Sequence, residues 1–342
     1  MLELEELRKI GVENGLDTGM LYVEWIDEIP ATHPQIYGKQ FSSSVVDVNR
    51  NGQLTIFLSK FLKKSERRLA LIRALGYADF YRRNQFITDL MVSRSVVDLS
   101  TYNEKYGSSL VEAWIKAFES ISFTTKHGAE FLNLYRYILT YNDRLLPWQR
   151  QLGEELLLTY QKEFMNHSTA LLREGWARLH EHVIINAMEI SEKEKLELIH
   201  LIAQKDDLPL PGIHIGRLGK QLLIAAPKKE HDRIIRTYDD RKLIEKFYTE
   251  RIHRQERISV LFTETNRLQT YKDVKNFLIG LASHQFYPIL VIDHQKTTQT
   301  GELTIYYQSW YPIHKRYLQQ VRQHLERLWG GKVFIKPNMN KE

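Results

Sequence analysis

Glu174-Gly175-Trp176-Ala177, with Glu181 seven positions beyond the first acid, stands in the run LLREGWARLHEHVI, whose apolar spacing is helical. A glycine in a helix interior costs roughly 1 kcal/mol against alanine. Its presence there points to close backbone approach or to a clear path toward the neighbouring carboxylate. On a helix Glu174, Ala177 or Arg178, and Glu181 share one face, and Leu172, Trp176 and Val183 share another. The acids are therefore placed to line a cleft while the apolar side packs. Two carboxylates on separate helices, drawn from acids such as Asp79, Glu174 and Glu181, can divide general acid and base duties when their environments separate their pKa values. The plain alternative is a solvated acid on an amphipathic helix.

Other chemistry is sparse. The chain has thirteen histidines but no H-E-x-x-H, the motif in which two histidines one turn apart hold zinc around a glutamate base. His180 and His182 flank Glu181, yet residues two apart point to different sides of a helix, so packing or surface roles are expected for both. There is no phosphate-binding P-loop, dinucleotide fingerprint, nucleophile elbow or EF-hand loop. Gly212, Gly216 and Gly219 are regularly spaced but follow a proline-rich loop rather than a strand, so they make a weak phosphate-binding signal. Tyr306, Tyr307, Trp310 and Tyr311 offer rings for stacking on bases, with half-buried packing as the plainer expectation.

The elements that must position these residues can be traced by periodicity. Strands are expected at Leu21 to Ile26, Ser44 to Val48 and Leu54 to Leu58, with Asn51-Gly52 as a hairpin turn. Ser65 is expected to cap a helix reaching about Phe86. From Leu90 to Gln204 the pattern is helical, with segments near 110–121, 129–139, 147–165, 169–188 and 191–203. The prolines and glycines of Asp206 to Gly219 predict a loop, and 228–254 a linker with a connecting helix. Beyond it come strand 258–263, helix 271–282, strands 289–292 and 303–307, helix 313–329 and strand 332–335, an order that spells βαββαβ. The expected class is α+β: a mainly helical domain over 1–227 with a small sheet, then a ferredoxin-like domain over 255–342.

At 342 residues, 43% hydrophobic and 26% charged, the chain has ordinary globular composition. The absence of cysteine excludes disulfides, thiolate nucleophiles and cysteine-ligated metals, and fits a reducing compartment. No window approaches about 18 apolar residues and the amino-terminal stretch lacks a secretory pattern, so a soluble, cytoplasmic protein is expected. A net charge of +6 attracts polyanions weakly. The local clusters at Lys60 to Arg68, at Arg82 and Arg83, and at Arg233, Arg236, Arg241 and Lys242 are interrupted by acids and read as solvated helix faces.

Several segments, in order, resemble the stage V sporulation protein R family. Glu174-Gly175-Trp176-Ala177 is similar to its E-G-W-A signature, and Asp79-Phe80-Tyr81-Arg82-Arg83-Asn84 to its D-F-F-x-x-N. Gly15-Leu16-Asp17, Tyr37 to Phe41, Ile215-Gly216, Phe286 to Val291, Gly301-Glu302-Leu303 and Leu328-Trp329-Gly330 continue the resemblance along nearly the whole chain. It implies a zincin-like core in which an H-x-x-x-H pair precedes D-F-F-x-x-N and the E-G-W-A glutamate completes a metal site. Here those positions hold Arg73 and Tyr77, and Glu181 stands where the family has a further histidine. Neither a guanidinium nor a phenol is a good zinc ligand. The resemblance therefore implies a remnant cleft lined by Arg73, Tyr77, Asp79, Asn84, Glu174 and Glu181, with no metal unless Glu174 retains one, and no cofactor. Arg73 is expected to face Glu174 in a charge-assisted pair. The function implied is spore cortex formation through cytoplasmic sporulation partners and without catalysis. A hydrolase using Glu174 and its neighbouring acids, or a nucleic-acid-binding protein, are the alternatives.

Overall fold

The computed structural model describes residues 2–27, 44–48, 54–91, 97–122, 134–206, 213–261, 267–284, 288–309, 313 and 315–337. Along the chain these form α1 (Leu2–Glu13), β1 (Leu21–Ile26), β2 (Ser44–Val48), β3 (Leu54–Ser59), α2 (Lys64–Arg83) and α3 (Gln85–Met91). Then follow α4 (Leu99–Tyr106), α5 (Ser108–Ser122), α6 (Leu134–Tyr141), α7 (Pro147–Ser168), α8 (Ala170–Ala187) and α9 (Glu192–Asp206). The remainder is α10 (Ile215–Ala225), α11 (His231–Thr237), α12 (Asp240–Phe247), α13 (Glu250–Glu256), β4 (Val260–Leu261), β5 (Arg267–Leu268), α14 (Tyr271–His284), β6 (Ile289–Ile292), α15 (His294–Thr300), β7 (Leu303–Gln308), α16 (Lys315–Trp329) and β8 (Val333–Pro337). The chain is mainly helical with small sheets. Among the described residues no helix is long and apolar enough to cross a membrane.

Two compact units result, each built from separated stretches: Met1–Arg94 with Asn166–Ile279, and Ser95–Met165 with Gly280–Glu342. In the first unit α8 lies against α2 on one face and α10 on another. A Cβ added at Gly76 of α2 would sit 2.6 Å from the Ala177 Cα of α8. One added at Gly175 would run into the backbone of Gly219 on α10, and one at Gly219 into the Leu171 carbonyl. Helical spacing explains the division: Glu174, Ala177 and Glu181 turn toward α2, while Leu171, Gly175 and Arg178 turn toward α10. Around this crossing Leu69, Ile72, Leu75 and Phe80 of α2 and Ile56 and Leu58 of β3 are fully buried. Each such side chain contributes about 1.5–3 kcal/mol. β3 is the centre of its sheet, parallel to β1 and antiparallel to β2.

The start of α8 is capped from a distance. Thr169 makes no side-chain cap, and the Leu171 and Leu172 backbone N–H groups instead donate to the two oxygens of Asp240, at 2.8 Å each. The neighbouring Asp239 caps its own helix by accepting from the Lys242 N–H at 2.8 Å. Carboxylates at both helix starts also suit the helix dipole.

In the second unit Val111, Trp114 and Phe118 of α5, Tyr135 and Ile138 of α6, and Val321, Leu325 and Leu328 of α16 pack against Leu303 and Ile305 of β7. Asn142 donates to the Leu328 carbonyl at 2.6 Å, and the buried Tyr135 hydroxyl to the Gly153 carbonyl at 2.9 Å. β6 runs antiparallel to β7, and β7 parallel to β8 through α16.

Several expectations need correction. The unit boundaries do not fall at 227 and 254: residues 95–165 belong with 280–342, a long-range association that local composition does not encode. The connecting helix expected near 241–254 is formed, as α12 and α13, but the stretch before it is helical too, as α11, and α10 begins at Ile215, so Gly216 and Gly219 are helical rather than looped. Their backbones are needed for packing, which overrides low propensity. The βαββαβ sheet is not formed as expected among the described residues. Its first strand, β4, pairs with β5 in a separate ribbon, and β8 lies directly beside β7, the place a split βαβ gives to that first strand. α2 starts before Ser65, with the Lys63 N–H donating to Glu66 at 3.0 Å, while the Ser65 hydroxyl donates to Glu197 at 2.7 Å. The Asn51-Gly52 turn lies outside the described residues, although the strands it would join are paired as expected. Val183 is 40% exposed, so the apolar face shared with Leu172 and Trp176 ends before it.

The glycine crossing can be tested against a glycine of another kind. Gly219→Ala, where both near neighbours are backbone, is expected to lower unfolding stability by about 3 kcal/mol or more. Gly15→Ala, at φ +86° with nothing within 4 Å of the added carbon, should cost only about 1 kcal/mol of left-handed strain. Denaturant unfolding of the two variants distinguishes the cases.

Candidate functional site

Residues one turn apart on α2 meet residues on the facing side of antiparallel α8. The Arg73 guanidinium donates through Nε to Glu181, and the Tyr77 hydroxyl donates to Glu174 at 2.8 Å. Between these rungs Gly76 rests on Ala177. Below them the indole N–H of Trp176 donates to Asp79 at 2.8 Å. The direct partner of Arg73 is thus Glu181, not the expected Glu174, which tyrosine holds. The antiparallel register explains the exchange: the earlier residue on α2 meets the later acid on α8.

The electrostatics keep these groups in fixed states. Glu181 is 1% exposed and the Arg73 side chain 14%, so the pair is desolvated. Burial alone disfavours the guanidinium charge, but the carboxylates of Glu181 and Glu174 outweigh it and hold the pKa above its ordinary value. Burial, reinforced by the neighbouring Glu174, pushes the Tyr77 phenol well above its ordinary value, so it remains a neutral donor. Arg173 behaves like Arg73: burial opposes its charge, while the acids Glu174 and Asp240 sustain it, and its guanidinium lies 5.6 Å from the Tyr81 ring centroid. Two arginines and two glutamates therefore balance beside a neutral phenol.

Asp79 and Asn84 lie at the same end of α2 but do other work. Asp79 is fully buried and accepts from the Asp17 backbone N–H at 2.5 Å, from Trp176, and from Arg83 in a 3.1 Å ion pair. Burial nevertheless raises its pKa above the ordinary value, against the pull of these donors. Asn84 ends α2, donating through Nδ2 to the carbonyls of Ile235 at 2.7 Å and Tyr238 at 3.1 Å. It is a buried anchor for α11 rather than a cleft residue.

His180 packs against Trp176, with ring centroids 4.3 Å apart, and neither ring nitrogen has a hydrogen-bond partner. Burial, with Arg83 and His231 nearby, pushes its pKa down to about 4, so the imidazole is neutral around pH 7. The packing role expected for His180 is the one observed. His182 is partly buried. Gly216 lies beneath the Arg178 side chain, and Gly219 beneath α8, which accounts for their spacing without a phosphate. Tyr306 and Tyr307 are half-buried on β7, whereas Trp310, Tyr311 and Gly212 lie outside the described residues.

Sequence reasoning missed Arg173 and Asp240, and it read Arg83 as part of a solvated helix face, whereas that side chain is 17% exposed and pairs with the buried Asp79. Asp240 is fully buried, and burial raises its pKa well above the ordinary value despite two backbone donors. The available signal was the Asp239-Asp240 pair, but only the first of two adjacent acids can serve the local cap. Among the described residues no group of three or more histidines and acids is arranged to hold a metal ion. What the arrangement does chemically is neutralise: each acid facing α2 already accepts from a strong or permanently neutral donor.

Two measurements probe this ladder. Arg73→Met should cost about 3–5 kcal/mol by stranding Glu181, and adding Glu181→Met should recover most of the loss, as read from denaturant midpoints. Asp240 has a folded pKa raised above 3.8, so its stabilising contribution is present in full below that value and is lost as pH rises through the folded pKa. Asp240→Asn cannot titrate. The stability gap between the parent and this variant should be widest at the acid end and narrow as pH rises; a gap that widens would contradict the assignment. No family model, curated protein or solved structure matches this chain.

Proposed function

We propose that this chain is a non-catalytic, divergent member of the stage V sporulation protein R family. In this reading it has a zincin-like helical core and acts in the cytoplasm, in spore cortex formation, by holding protein partners. One observation supports it most. The two positions of α2 at which that family carries its helix histidines hold Arg73 and Tyr77, and both are committed to acids of α8. An arginine that keeps its proton cannot offer a lone pair to zinc, and a phenol raised by burial does so only at a large cost. Its hydrogen bond also occupies the glutamate that would complete such a site. A carboxylate so engaged is a structural element, and the surface around it is left for binding rather than turnover.

The test combines metal content with partner recovery. Protein purified from sporulating cells should carry zinc well below one equivalent and bring down specific proteins. Glu174→Gln should lower stability by about 1–2 kcal/mol through loss of its charge-assisted bond, with partner recovery retained. Stoichiometric zinc, or a hydrolytic activity that Glu174→Gln abolishes in folded protein, would instead favour the hydrolase.

A further inference from the structure

The arginines and lysines of α11 and α12 separate into two groups. Arg236 pairs with Asp232 at 2.9 Å and Arg241 with Glu245 at 2.7 Å, each one turn away on its own helix. These are solvated helix-face pairs, worth little energetically. Arg233, Lys242 and Lys246 converge instead on one ring. Their charged groups lie 5.9, 4.4 and 5.7 Å from the Tyr238 centroid. Among the described residues, their one ion pair is that of Lys246 with Glu230, at 2.7 Å. Three cations and one carboxylate leave two positive charges in excess.

We propose that Arg233, Lys242 and Lys246, gathered over Tyr238, form a binding site for a phosphate-type oxyanion. Tyr238 supplies the built part of the site. It is 1% exposed, and its hydroxyl oxygen accepts from Arg233 Nη2 and from Lys246 Nζ, both at 3.2 Å. Burial pushes the phenol up, but these two cationic donors outweigh it and bring its pKa below the ordinary value. The phenol's own O–H meets no acceptor among the described residues, so it is free to donate to an incoming oxygen. Two cations about 6 Å apart repel by roughly 0.7 kcal/mol in water and about 3 kcal/mol at an effective dielectric of 20. An oxyanion between them removes that repulsion and gains charge-assisted hydrogen bonds.

The platform is held in place before any ligand arrives. Lys242 and Lys246 lie one turn apart on α12, whose start Asp239 caps, and Asn84 fixes the Tyr238 and Ile235 carbonyls from α2. A guanidinium fork, two ammonium groups and a phenol O–H, all gathered around one ring, offer enough donors for a tetrahedral group with several oxygens. The two excess charges match a phosphate dianion better than a carboxylate. The site is on α11 and α12, apart from the acids of α8, so it stands or falls independently of the function proposed above.

The experiment is a titration of the full chain at constant ionic strength with inorganic phosphate, pyrophosphate or a short single-stranded oligonucleotide. Binding is followed by calorimetry and by the ultraviolet absorbance of tyrosinate. Saturable binding is expected, about tenfold weaker in the Arg233→Met/Lys242→Met double variant, whose side chains are exposed and whose fold should persist. In the parent, a bound anion disfavours the phenolate, so phosphate should raise the Tyr238 ionisation midpoint; the double variant should lose this effect. Binding by phosphate or pyrophosphate identifies a free oxyanion as the ligand. A response to the oligonucleotide alone, abolished in the double variant, identifies nucleic-acid phosphate on the same cations. Equal responses in parent and double variant, or the same response to added chloride, would overturn the site.

Discussion

Gly175 against Gly219 and Gly76 against Ala177 bring the backbones of α2, α8 and α10 to van der Waals distance. Helices with ordinary side chains at the crossing sit about 8–10 Å apart. Removing the side chains on both sides of α8 lets it run close to two neighbours at once. Short polar reach then becomes possible across the α2 side: a tyrosine hydroxyl meets a glutamate directly, and an indole N–H meets an aspartate. The contact of Gly76 with Ala177 is thus the reason the acids of α8 have partners on α2, while Gly175 serves the crossing with α10.

Those partners are obligatory rather than decorative. A buried carboxylate without a donor costs far more than a surface ion pair yields. Glu181, almost wholly buried, is satisfied by a full positive charge, whereas the less buried Glu174 is satisfied by a neutral phenol. Arg173 adds a second positive charge nearby, and the balance leaves little net field in the interior. Hydrogen bonding within the ladder is incomplete, since Arg73 Nη2 is buried without an acceptor. The pair is therefore better suited to fixing the register of α2 against α8 than to supplying large stability.

Local pattern made much of this visible. The strands 21–26, 44–48 and 289–292 were legible because β-rich runs are short and bounded, and the shared face of Glu174, Ala177 and Glu181 followed from helical spacing alone. Which acid meets Arg73 was not legible, because both lie on that face and only the antiparallel register of two distant helices decides between them. Gly216 and Gly219 looked like loop for a related reason. Low helix propensity is a local property, while the α10 crossing that requires it is not. The pairing of β4 with β5, and the union of 95–165 with 280–342, are likewise long-range choices.

Asp239 and Asp240 show how such a choice is built from neighbouring residues of one type. The first accepts from its own helix and starts α12. The second, turned away, satisfies the first N–H groups of α8 and so fixes where that helix begins relative to α12. Glu174 lies within the first turns of α8, and Lys242 and Lys246 lie on α12, so the acid ladder and the cation platform share this carboxylate as a joint. Energies measured at the two places should not add as they would for independent sites, because displacement of α12 alters the cap and with it the entry of α8 into the ladder.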